Sequence, residues 1–293
     1  MNELKDYRYD QYFLYPTLHN NAWKDIFLSR LNSIDGNADF NTFNLEVSKW
    51  DEEHFGFKIG KINNPFSPIK EDYKQYKYEV KRLIEVSKEN NVRVLILRIN
   101  GDNINLIHEF ENVGFRYYET IIWPVTNLDK QNFQYSDIRL FDSKSDNIDD
   151  LMKIARYNQY NRGHFHCDNN FEITKVNELY AKWVKTAAEE NRHIAIIRNE
   201  NKIVGYFVFA VDEKLSLATG YKYGRLQSLA LDSRERGKGL GRKLFEGTLS
   251  LLKEYGCIYA DSGYASKNHL SAKLHSMFGF SSVYEEVTMH LWL

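Results

Sequence analysis

A glycine-rich segment, Arg236-Gly-Lys-Gly-Leu-Gly241, is the part of the sequence that most directly indicates chemistry. It lies between a predicted strand and a predicted helix, so its glycines can bring backbone N–H groups close to a ligand. A helix N-terminus carries partial positive charge and suits a phosphate. Residues 234–243 hold five basic side chains and one acidic one, a local net charge of +4 in a chain of net charge −1. The sequence therefore predicts an anion site here, and a glycine-rich turn with solvated basic residues is the alternative.

The spacing of these glycines differs from that of two common phosphate motifs. It is neither the dinucleotide-binding G-x-G-x-x-G nor the G-x-x-x-x-G-K-[ST] of nucleoside triphosphatases. With its flanks, the segment at residues 226–245 resembles the strand, loop and helix that bind the pyrophosphate of acyl-coenzyme A (acyl-CoA) in the GCN5-related N-acetyltransferase (GNAT) superfamily. Residues 268–280 resemble the second signature of that superfamily, in which an Asn opens a helix and a Gly-Phe pair ends the segment. The resemblance covers about residues 136–293.

The resemblance implies that acetyl-CoA or another acyl-CoA is a co-substrate and that no metal is needed. Backbone N–H groups of one strand would hold the thioester carbonyl, and the glycine segment would hold the pyrophosphate. The implied donor-binding residues are Leu229, Ala230, Leu231, Arg236, Gly237, Lys238, Gly239, Leu240, Gly241, Arg242 and Asn268. The three strand residues also fit a simple apolar strand core, which is compatible with this role.

His275 and Asn268 are the candidate catalytic residues. The superfamily usually has a Tyr seven residues after the Asn, where it protonates the departing thiolate, and this sequence has His275 there. Three interpretations stay open: His275 is the general acid, it only donates a hydrogen bond to sulfur, or it is a helix-face residue while another group or water acts. An ordinary His has a pKa near about 6.5, so an acid role requires that the ring carry its charge. The acid role predicts that His275→Phe lowers kcat far more than either KM.

The sequence shows no evident general base. Many superfamily members use a carboxylate on the strand that here holds Gln227 and Ser228, and neither side chain is a base. His164, His166 and Asp168 could hold the amine or relay its proton. The alternative is that His166 and Asp168 cap the structure that follows. This His-x-His-x-Asp run also resembles a metal cluster, but no further ligand run accompanies it, so we predict no metal.

A narrower resemblance suggests the acceptor. Three segments are similar to the subgroup that contains dTDP-fucosamine acetyltransferase: Trp50-Asp-Glu-Glu-His-Phe-Gly56, His164-Phe-His-Cys-Asp168 and Leu179-Tyr-Ala-Lys-Trp183. The subgroup implies transfer to the amino group of a nucleotide-linked amino-deoxy sugar of the dTDP type, for surface polysaccharide synthesis such as O-antigen. The implied acceptor-side residues are His54, Phe55, His164, His166 and Asp168. The alternatives are an N-acetyltransferase for another small amine or a peptide, and a non-catalytic acyl-CoA sensor.

An internal repeat predicts how these segments are organised. A shift of 165 residues places Lys88-Glu89 on Lys253-Glu254 and Gly114-Phe115 on Gly279-Phe280. Both copies read as helix, strand, helix, Gly-Phe and aromatic-rich strand, which favours a duplication. We expect an α/β (α+β) GNAT fold, with a mixed central sheet flanked by helices. A degenerate GNAT-like half at residues 1–130 would shape the acceptor cleft, and residues 136–293 would form the catalytic domain.

The predicted elements nearest the candidate site are a strand at residues 226–231 and helices at residues 239–255 and 268–277. A strand at residues 117–125 is expected to stop at Pro124. A short helix is predicted at residues 21–32, and residues 50–60 are expected to lead into a strand.

The composition excludes several classes of protein. Apolar residues make up 43% and charged residues 27% of the chain, as in folded globular proteins. The net charge of −1 gives no support for a nucleic-acid partner. No apolar stretch reaches the roughly 18 residues of a membrane span, and two cysteines are too few for a disulfide framework. We expect a cytoplasmic enzyme that acts on small molecules, and the aromatic-rich closing strand favours a homodimer.

Overall fold

A computed structural model describes residues 44–63, 73–133, 138–190, 192–213, 216 and 220–293. The helix predicted at residues 21–32 lies outside the described residues. The chain divides into two compact units, one of Met1–Ile122 with Val283–Leu293 and the other of Trp123–Ser282. None of the helices in the described ranges is long and apolar enough to cross a membrane.

The first unit contains one sheet with helices packed against it. Its described elements are β1 (Asn44–Val47), α1 (Lys49–Phe55), β2 (Lys58–Asn63), α2 (Tyr73–Glu89), β3 (Val92–Asn100), α3 (Ile104–Asn112) and β11 (Ser281–Trp292). β2 lies parallel to β3, while β1 pairs with β2 and β11 with β3 in the antiparallel sense. Because side chains of a strand alternate between its faces, Leu95, Leu97 and Ile99 share one face. They form a core with residues of α2 and α3, including Val80 and Phe110.

The described residues of the second unit form a mixed sheet that helices cover on both faces. Its described elements are the end of β4 (Arg116–Asn127), β5 (Ile138–Leu140), α4 (Ile148–Asn158), α5 (His164–Cys167), α6 (Ile173–Glu189), β6 (His193–Asn199), β7 (Lys202–Val211), β8 (Tyr223–Leu231), α7 (Leu240–Glu254), β9 (Tyr259–Ser262), β10 (Tyr264–Ala265) and α8 (His269–Met277). The strand order is β4, β9, β8, β7, β6, β5, and only the β8–β9 pair is parallel. α7 covers one face, where Leu244 packs with Phe207. α4 and α6 cover the other, where Leu151 and Val184 pack with Tyr206.

The element order of the repeat is present in the structure. The shift of 165 residues found in the sequence places α3 on α8 and β4 on β11, with both ends of each pair in step. Asn103 and Asn268 are corresponding N-caps, and each side chain accepts a hydrogen bond from the backbone N–H three residues later. Gly114 and Gly279 correspond as well, and both have positive φ, at 103° and 65°. Each Gly therefore ends its helix in a conformation that only glycine adopts easily.

The last strands of the two copies are exchanged between the units. β11 pairs with β3 from Glu286↔Asn100 to Trp292↔Val94. β4 pairs with β9 at Val125↔Asp261 and the two residues that follow. The predicted boundaries at 1–130 and 136–293 differ from the observed units for this reason, because sequence order alone assigns each strand to the copy that precedes it.

Two predicted elements also differ from the structure. α1 occupies part of residues 50–60, where we expected only a lead-in to a strand, and Ser48 caps it by accepting from the Asp51 N–H. β4 continues through Pro124 to Asn127. Proline lacks only one backbone donor, and pairing with β9 begins after it, at Val125.

Candidate functional site

The glycine segment forms the turn between β8 and α7. Gly237 and Gly239 have φ of +80° and +77°, a region that favours glycine. Gly239 is the N-cap of α7, and no side chain in the described ranges caps this helix. A Cβ at either glycine would meet nothing within 4 Å. The 15-residue helix therefore begins without a side-chain cap beside open space at both glycines, and such an uncapped helix N-terminus can bind an anion.

The local positive charge is smaller than residues 234–243 suggest. Arg234 makes two hydrogen bonds to Asp232, at 3.0 and 2.6 Å, and Asp232 lies just outside that window. Lys238 Nζ lies 2.9 Å from Glu235 Oε2. Two of the five cations are thus paired within the loop. The cations left to meet an anion are those of Arg236, Arg242 and Lys243, which are exposed.

Asn158, the last residue of α4, anchors this loop. Its side-chain Oδ1 accepts a hydrogen bond from the Ser233 N–H at 2.8 Å. Its carbonyl oxygen accepts from the guanidinium of Arg236 at 3.1 Å. The position of the glycine turn is therefore fixed from the end of α4 as well as from β8.

β8 has an open edge beside this turn. Its pairing with β9 ends at Leu226↔Ser262, whereas β8 itself continues to Leu231. The opposite edge stays paired with β7 as far as Gly205↔Leu231. No strand among the described residues pairs with the β9 side of residues 227–231, so alternate backbone N–H groups there can donate to a ligand. A Cβ at Gly241 would lie 3.9 Å from Leu231, which brings this edge next to the N-terminus of α7.

Side chains on the α4 face of β7 and β8 form a buried polar cluster next to that edge. The amide Nε2 of Gln159 donates to the hydroxyl of Tyr206 and, at 3.1 Å, to Oγ of Ser228. Tyr206 is fully buried, and burial raises its pKa to about 12. The phenol therefore stays protonated at physiological pH.

A second charged cluster lies on the same face. Arg225 of β8 makes ion pairs with Asp261 of β9 at 3.2 Å and with Asp212 at 2.9 Å. The side chain of Asp261 is fully buried. Burial alone would lower the pKa of Arg225, but the two carboxylates outweigh it and raise that pKa. Arg225 is therefore held charged between two anions.

His275 is a residue of α8, and its side chain is buried in the core with 3% exposed. Its Nδ1 is 2.7 Å from the carbonyl oxygen of Ser271, which can only accept, so Nδ1 carries the proton. Burial lowers the pKa of His275 to about 4, so the ring is neutral near neutral pH. Nε2 is then a bare acceptor, and it is buried without a hydrogen-bond partner among the described residues. A ring in this state has no Nε2 proton to give to a thiolate.

At the position that corresponds to His275, the first copy of the repeat has an aromatic ring that can neither donate nor accept a proton. The shift of 165 residues places the buried Phe110 on His275. The Phe110 ring meets Phe115 at 5.0 Å and 78°, and the His275 ring meets Phe280 at 4.9 Å and 78°. Of the three interpretations of His275, the geometry favours the helix-face residue that packs in the core. Asn268 caps α8 by accepting from the Ser271 N–H at 3.2 Å, which is a structural role.

Two of the predicted acceptor-side residues, Phe55 and Asp168, are buried, and His166 is packed against an aromatic ring. Phe55 is 2% exposed and belongs to the core of the first unit, so its predicted contact with the acceptor is not supported. Asp168 is buried and accepts from the N–H and side-chain amide of Asn170, which matches the capping alternative. His166 stacks on Tyr180 at 5.3 Å, and burial lowers its pKa.

His164 and His54 complete that set. His164 is buried against Phe165. His54, in the first unit, stacks on Trp50 at 5.9 Å. Among the described residues, no group of three or more His, Cys, Asp or Glu side chains is arranged to hold a metal ion.

Sequence reasoning missed the polar cluster on the α4 face. Gln159 carries no motif, and Tyr206 reads as one more aromatic in an apolar strand. The available signals were the charges of Arg225 and Asp261 in strands that hold no other charged residue. Such charges need partners when they are buried.

The comparisons with known proteins fit this architecture. Residues 155–280, all in the second unit, match the model of the Acetyltransferase (GNAT) family. The second unit therefore has the GNAT fold. A search of curated proteins finds no match to the sequence.

Several solved structures share the fold at low sequence identity. A GCN5-related N-acetyltransferase from Sphaerobacter thermophilus matches with a TM-score of 0.58 and 13% identity, over 85% of this chain and 76% of that one. A tandem GNAT protein from the clavulanic acid biosynthesis pathway matches with a TM-score of 0.52 and 10% identity, over 80% and 75%. The glucosamine N-acetyltransferase region of a fungal multi-domain β-N-acetylglucosaminidase matches with a TM-score of 0.57 and 13% identity, over 85% and 31%. The tandem protein fits an arrangement in two halves.

Proposed function

We propose that the protein is an acyl-CoA-dependent N-acyltransferase whose acceptor is the amino group of a nucleotide-linked amino-deoxy sugar of the dTDP type. One observation carries the donor half of this proposal. The uncapped, glycine-lined N-terminus of α7 adjoins the open edge of β8, where Gly241 approaches Leu231. A pyrophosphate at the helix and a thioester along the strand would use both features.

The proposed reaction is the transfer of the acyl group from the thioester sulfur to the amine. A neutral amine attacks the thioester carbonyl carbon, a C–N bond forms, the C–S bond breaks, and the proton lost by the amine balances the thiolate that leaves. The backbone N–H groups of Leu229 and Leu231 on the open edge would hold the developing oxyanion, because the register turns the N–H of Ala230 towards β7. Such fixed donors often supply the largest catalytic contribution. The thiolate would take its proton from water, since the buried His275 has no Nε2 proton to give.

The acceptor class is supported by a sequence resemblance and by one structural neighbour. Residues 50–56, 164–168 and 179–183 resemble the amino-sugar subgroup. One structural neighbour is named for a region that acetylates glucosamine, which is an amino sugar. Another small amine is the second candidate, and a non-catalytic acyl-CoA sensor is the third. The cytoplasmic location and the homodimer remain predictions, and light scattering after size-exclusion chromatography tests the second of them.

Gly239→Leu with Gly220→Leu as its control tests the donor site. Both glycines have φ above +70° with nothing within 4 Å of an added Cβ, so both substitutions impose similar backbone strain. We expect Gly239→Leu to weaken acetyl-CoA binding by more than about tenfold in titration calorimetry, because its side chain occupies the anion site. Gly220→Leu should bind like the wild type. Equal binding by wild type and Gly239→Leu would contradict the donor site.

A thiol-release assay with acetyl-CoA and a panel of dTDP- and UDP-linked amino sugars tests the acceptor class. Turnover with these sugars supports the proposal. Turnover with simple alkylamines alone would support the second candidate. Tight binding of acetyl-CoA without turnover of any amine would support the sensor.

A further inference from the structure

Strand β3 of the first unit has a second face, opposite the core of that unit. Leu97 and Ile99 belong to the core, and side chains alternate between the two faces of a strand. Arg98 and Asn100 therefore share the second face. This face of β3 offers a charged and a polar side chain that the proposed acyl transfer does not use.

Strand β11 adds two more side chains to the same face. Its register with β3 sets Thr288 opposite Arg98 and Glu286 opposite Asn100. Residues that lie directly opposite each other in an antiparallel pair point to the same side of the sheet. Four polar or charged side chains thus meet on one face of this strand pair.

The kind of pairing brings these side chains close together. The Gly101 N–H donates to the carbonyl oxygen of Glu285 at 3.2 Å, one step beyond the pair of Asn100 with Glu286. Hydrogen-bonded and non-hydrogen-bonded pairs alternate along an antiparallel ladder, so the two pairs of this face are of the second kind, in which side chains lie closer. Diagonal neighbours such as Asn100 and Thr288 are then about 7–8 Å apart, and one small group can contact both.

Three of the four side chains have hydrogen-bond donors that are not in use. Nδ2 of Asn100 and Oγ1 of Thr288 are buried, and neither has a hydrogen-bond partner among the described residues. Asn100 is 6% and Thr288 is 0% exposed. Arg98 is exposed, and its guanidinium is not held by an ion pair or a hydrogen bond within the described ranges. A buried polar group without a partner is unfavourable, so the arrangement suits a ligand that supplies acceptors.

The charge and the number of donors indicate the chemistry of that ligand. Asn100 already uses its Oδ1 to accept from the Asp102 N–H at 3.0 Å, so its amide N–H groups are what remain. Glu286, the acidic side chain of this face, has an interaction of its own. A ligand must therefore offer acceptors to three separate side chains beside the positive charge of Arg98. A phosphate group is an anion with three strongly accepting oxygens and meets both requirements.

We propose that Arg98, Asn100 and Thr288 form a phosphate-binding site on the first unit. Arg98 supplies the charge from the exposed side, and the buried donors of Asn100 and Thr288 supply direction. The bound group is either free phosphate or the phosphate of a nucleotide. The site shares no residue with the proposed acyl-CoA site of the second unit, and it does not depend on acyl transfer.

Thermal unfolding in inorganic phosphate, at constant ionic strength against chloride, tests this site. Gly239→Leu is the background, because the glycine turn of the second unit can also bind an anion. Phosphate should raise the Tm of this protein with a dependence on concentration that gives the affinity. Adding Arg98→Gln should weaken phosphate binding by about tenfold or more, the effect of one charge-assisted hydrogen bond. Arg116→Gln removes the same charge at an exposed position of β4 and should leave the affinity unchanged.

Two substitutions of similar shape separate binding from packing. Thr288→Val removes the hydroxyl, so without phosphate its Tm should equal or exceed that of its parent, while phosphate should stabilise it less. Asn100→Asp keeps the acceptor for the Asp102 N–H, removes the amide donor and should lose the response to phosphate. A purely structural role would change the Tm of these variants and leave the response to phosphate intact. If Gly239→Leu does not fold, the same differences are measured in the wild-type background, where the glycine turn is common to all variants.

Thymidine and dTMP identify the source of the phosphate. Tighter binding of dTMP than of inorganic phosphate, with thymidine inactive, indicates a nucleotide, and equal binding indicates free phosphate; both support the site when Arg98→Gln weakens them. Three results would overturn it: no stabilisation by phosphate, equal stabilisation by acetate at the same ionic strength, or a phosphate response that all three site variants retain. None of these measurements uses acyl transfer, so a failed acyltransferase assay would leave the phosphate site standing.

Discussion

Phenylalanine in place of His275 should leave the reaction intact and change how stability depends on pH. The substitution introduces the residue of the first copy of the repeat, where Phe110 occupies the corresponding position of α3 and is buried. His275 packs against Phe245, Tyr264 and Phe280, with ring centroids 4.7–5.0 Å apart. A second aromatic ring can keep these contacts and removes the unpartnered Nε2.

The size of the pH effect follows from the pKa of the ring. Burial lowers the pKa of His275 to about 4, whereas an unfolded His titrates near about 6.5. The unfolded chain therefore binds the proton first as pH falls. The contribution of His275 to stability is complete above about pH 6.5 and declines as pH falls from there towards about 4. Between about pH 7.5 and about pH 5 the loss is about 2 kcal/mol.

Urea unfolding at these two pH values measures the effect. The wild type should lose about 2 kcal/mol more than His275→Phe between about pH 7.5 and about pH 5. Other titrating groups are common to both proteins and cancel in this difference. His269→Phe, at an exposed position on the same helix, is the matched control and should keep the wild-type pH dependence. His275→Leu repeats the comparison if the larger ring is poorly accommodated.

Two results would refute the reasoning. One is an equal loss of stability in wild type and His275→Phe, because it would mean that the ring is not held neutral by burial. The other is a fall in kcat of more than about tenfold in a folded His275→Phe protein with normal acetyl-CoA affinity. That outcome would restore the general-acid interpretation and would require a charged ring, as the sequence pattern alone suggests.

Three further predictions concern the donor loop, an ion-pair cluster and the exchanged strands. Asn158→Ala removes the acceptor for the Ser233 N–H and should weaken acetyl-CoA binding by about three- to tenfold in calorimetry; unchanged affinity would show that the turn holds its shape without α4. Burial would raise the pKa of Asp146, but hydrogen bonds from Arg139, the Asp142 N–H and Arg198 outweigh it and hold that pKa at about 2. Asp146→Asn should therefore cost about 2 kcal/mol in urea unfolding near about pH 7, with the difference from wild type shrinking as pH falls through about 4 towards about 2; a difference that does not shrink would contradict the ion pair as its cause. A fragment of residues 123–282 should unfold in a cooperative thermal transition, whereas a fragment of residues 136–293 should not. The second fragment lacks the β4 segment that pairs with β9, and it contains β11 without β3. Equal cooperativity of the two fragments would show that the exchanged strands are dispensable.

Local pattern was sufficient to predict much of the fold. The repeat spacing, the Gly-Phe pairs and the apolar periodicity identify α3, α8 and most strands, since each is specified by its own residues. The exchange of β4 and β11 was not predictable in this way. Both are aromatic-rich strands at the end of equivalent copies, and either could pair with β3 or β9 as far as their own sequences indicate. Partner choice is a property of the whole chain, and sequence order points to the wrong partner here.

The candidate site also combines features that the sequence predicts with features that only the structure shows. Gly237 and Gly239 can be recognised because positive φ at a helix start restricts the residue type. The function of a polar side chain depends on its partners, which the sequence does not display. Gln227 and Ser228 can be dismissed as bases by residue type, but only the structure shows that the Gln159 amide donates to Ser228 Oγ and to the Tyr206 hydroxyl. The local charge of +4, which already includes Glu235, falls to +3 once Asp232 beside Arg234 is counted.

The end of α4 contacts both the donor loop and the polar cluster of Tyr206 and Ser228. Asn158 holds the glycine turn through Ser233 and Arg236. The next residue, Gln159, holds the hydroxyls of Tyr206 and Ser228. Two consecutive residues thus fix the donor loop and the hydroxyls of Tyr206 and Ser228 with respect to each other. A trans peptide keeps the Cα atoms of these two residues about 3.8 Å apart. A shift of the loop on donor binding would therefore be transmitted to Gln159 first. Asn158→Ala should therefore weaken acetyl-CoA binding more than Gln159→Ala does, because of the two residues Asn158 is the one that contacts the donor loop. Equal losses in the two variants would show that the end of α4 acts on the loop as a unit.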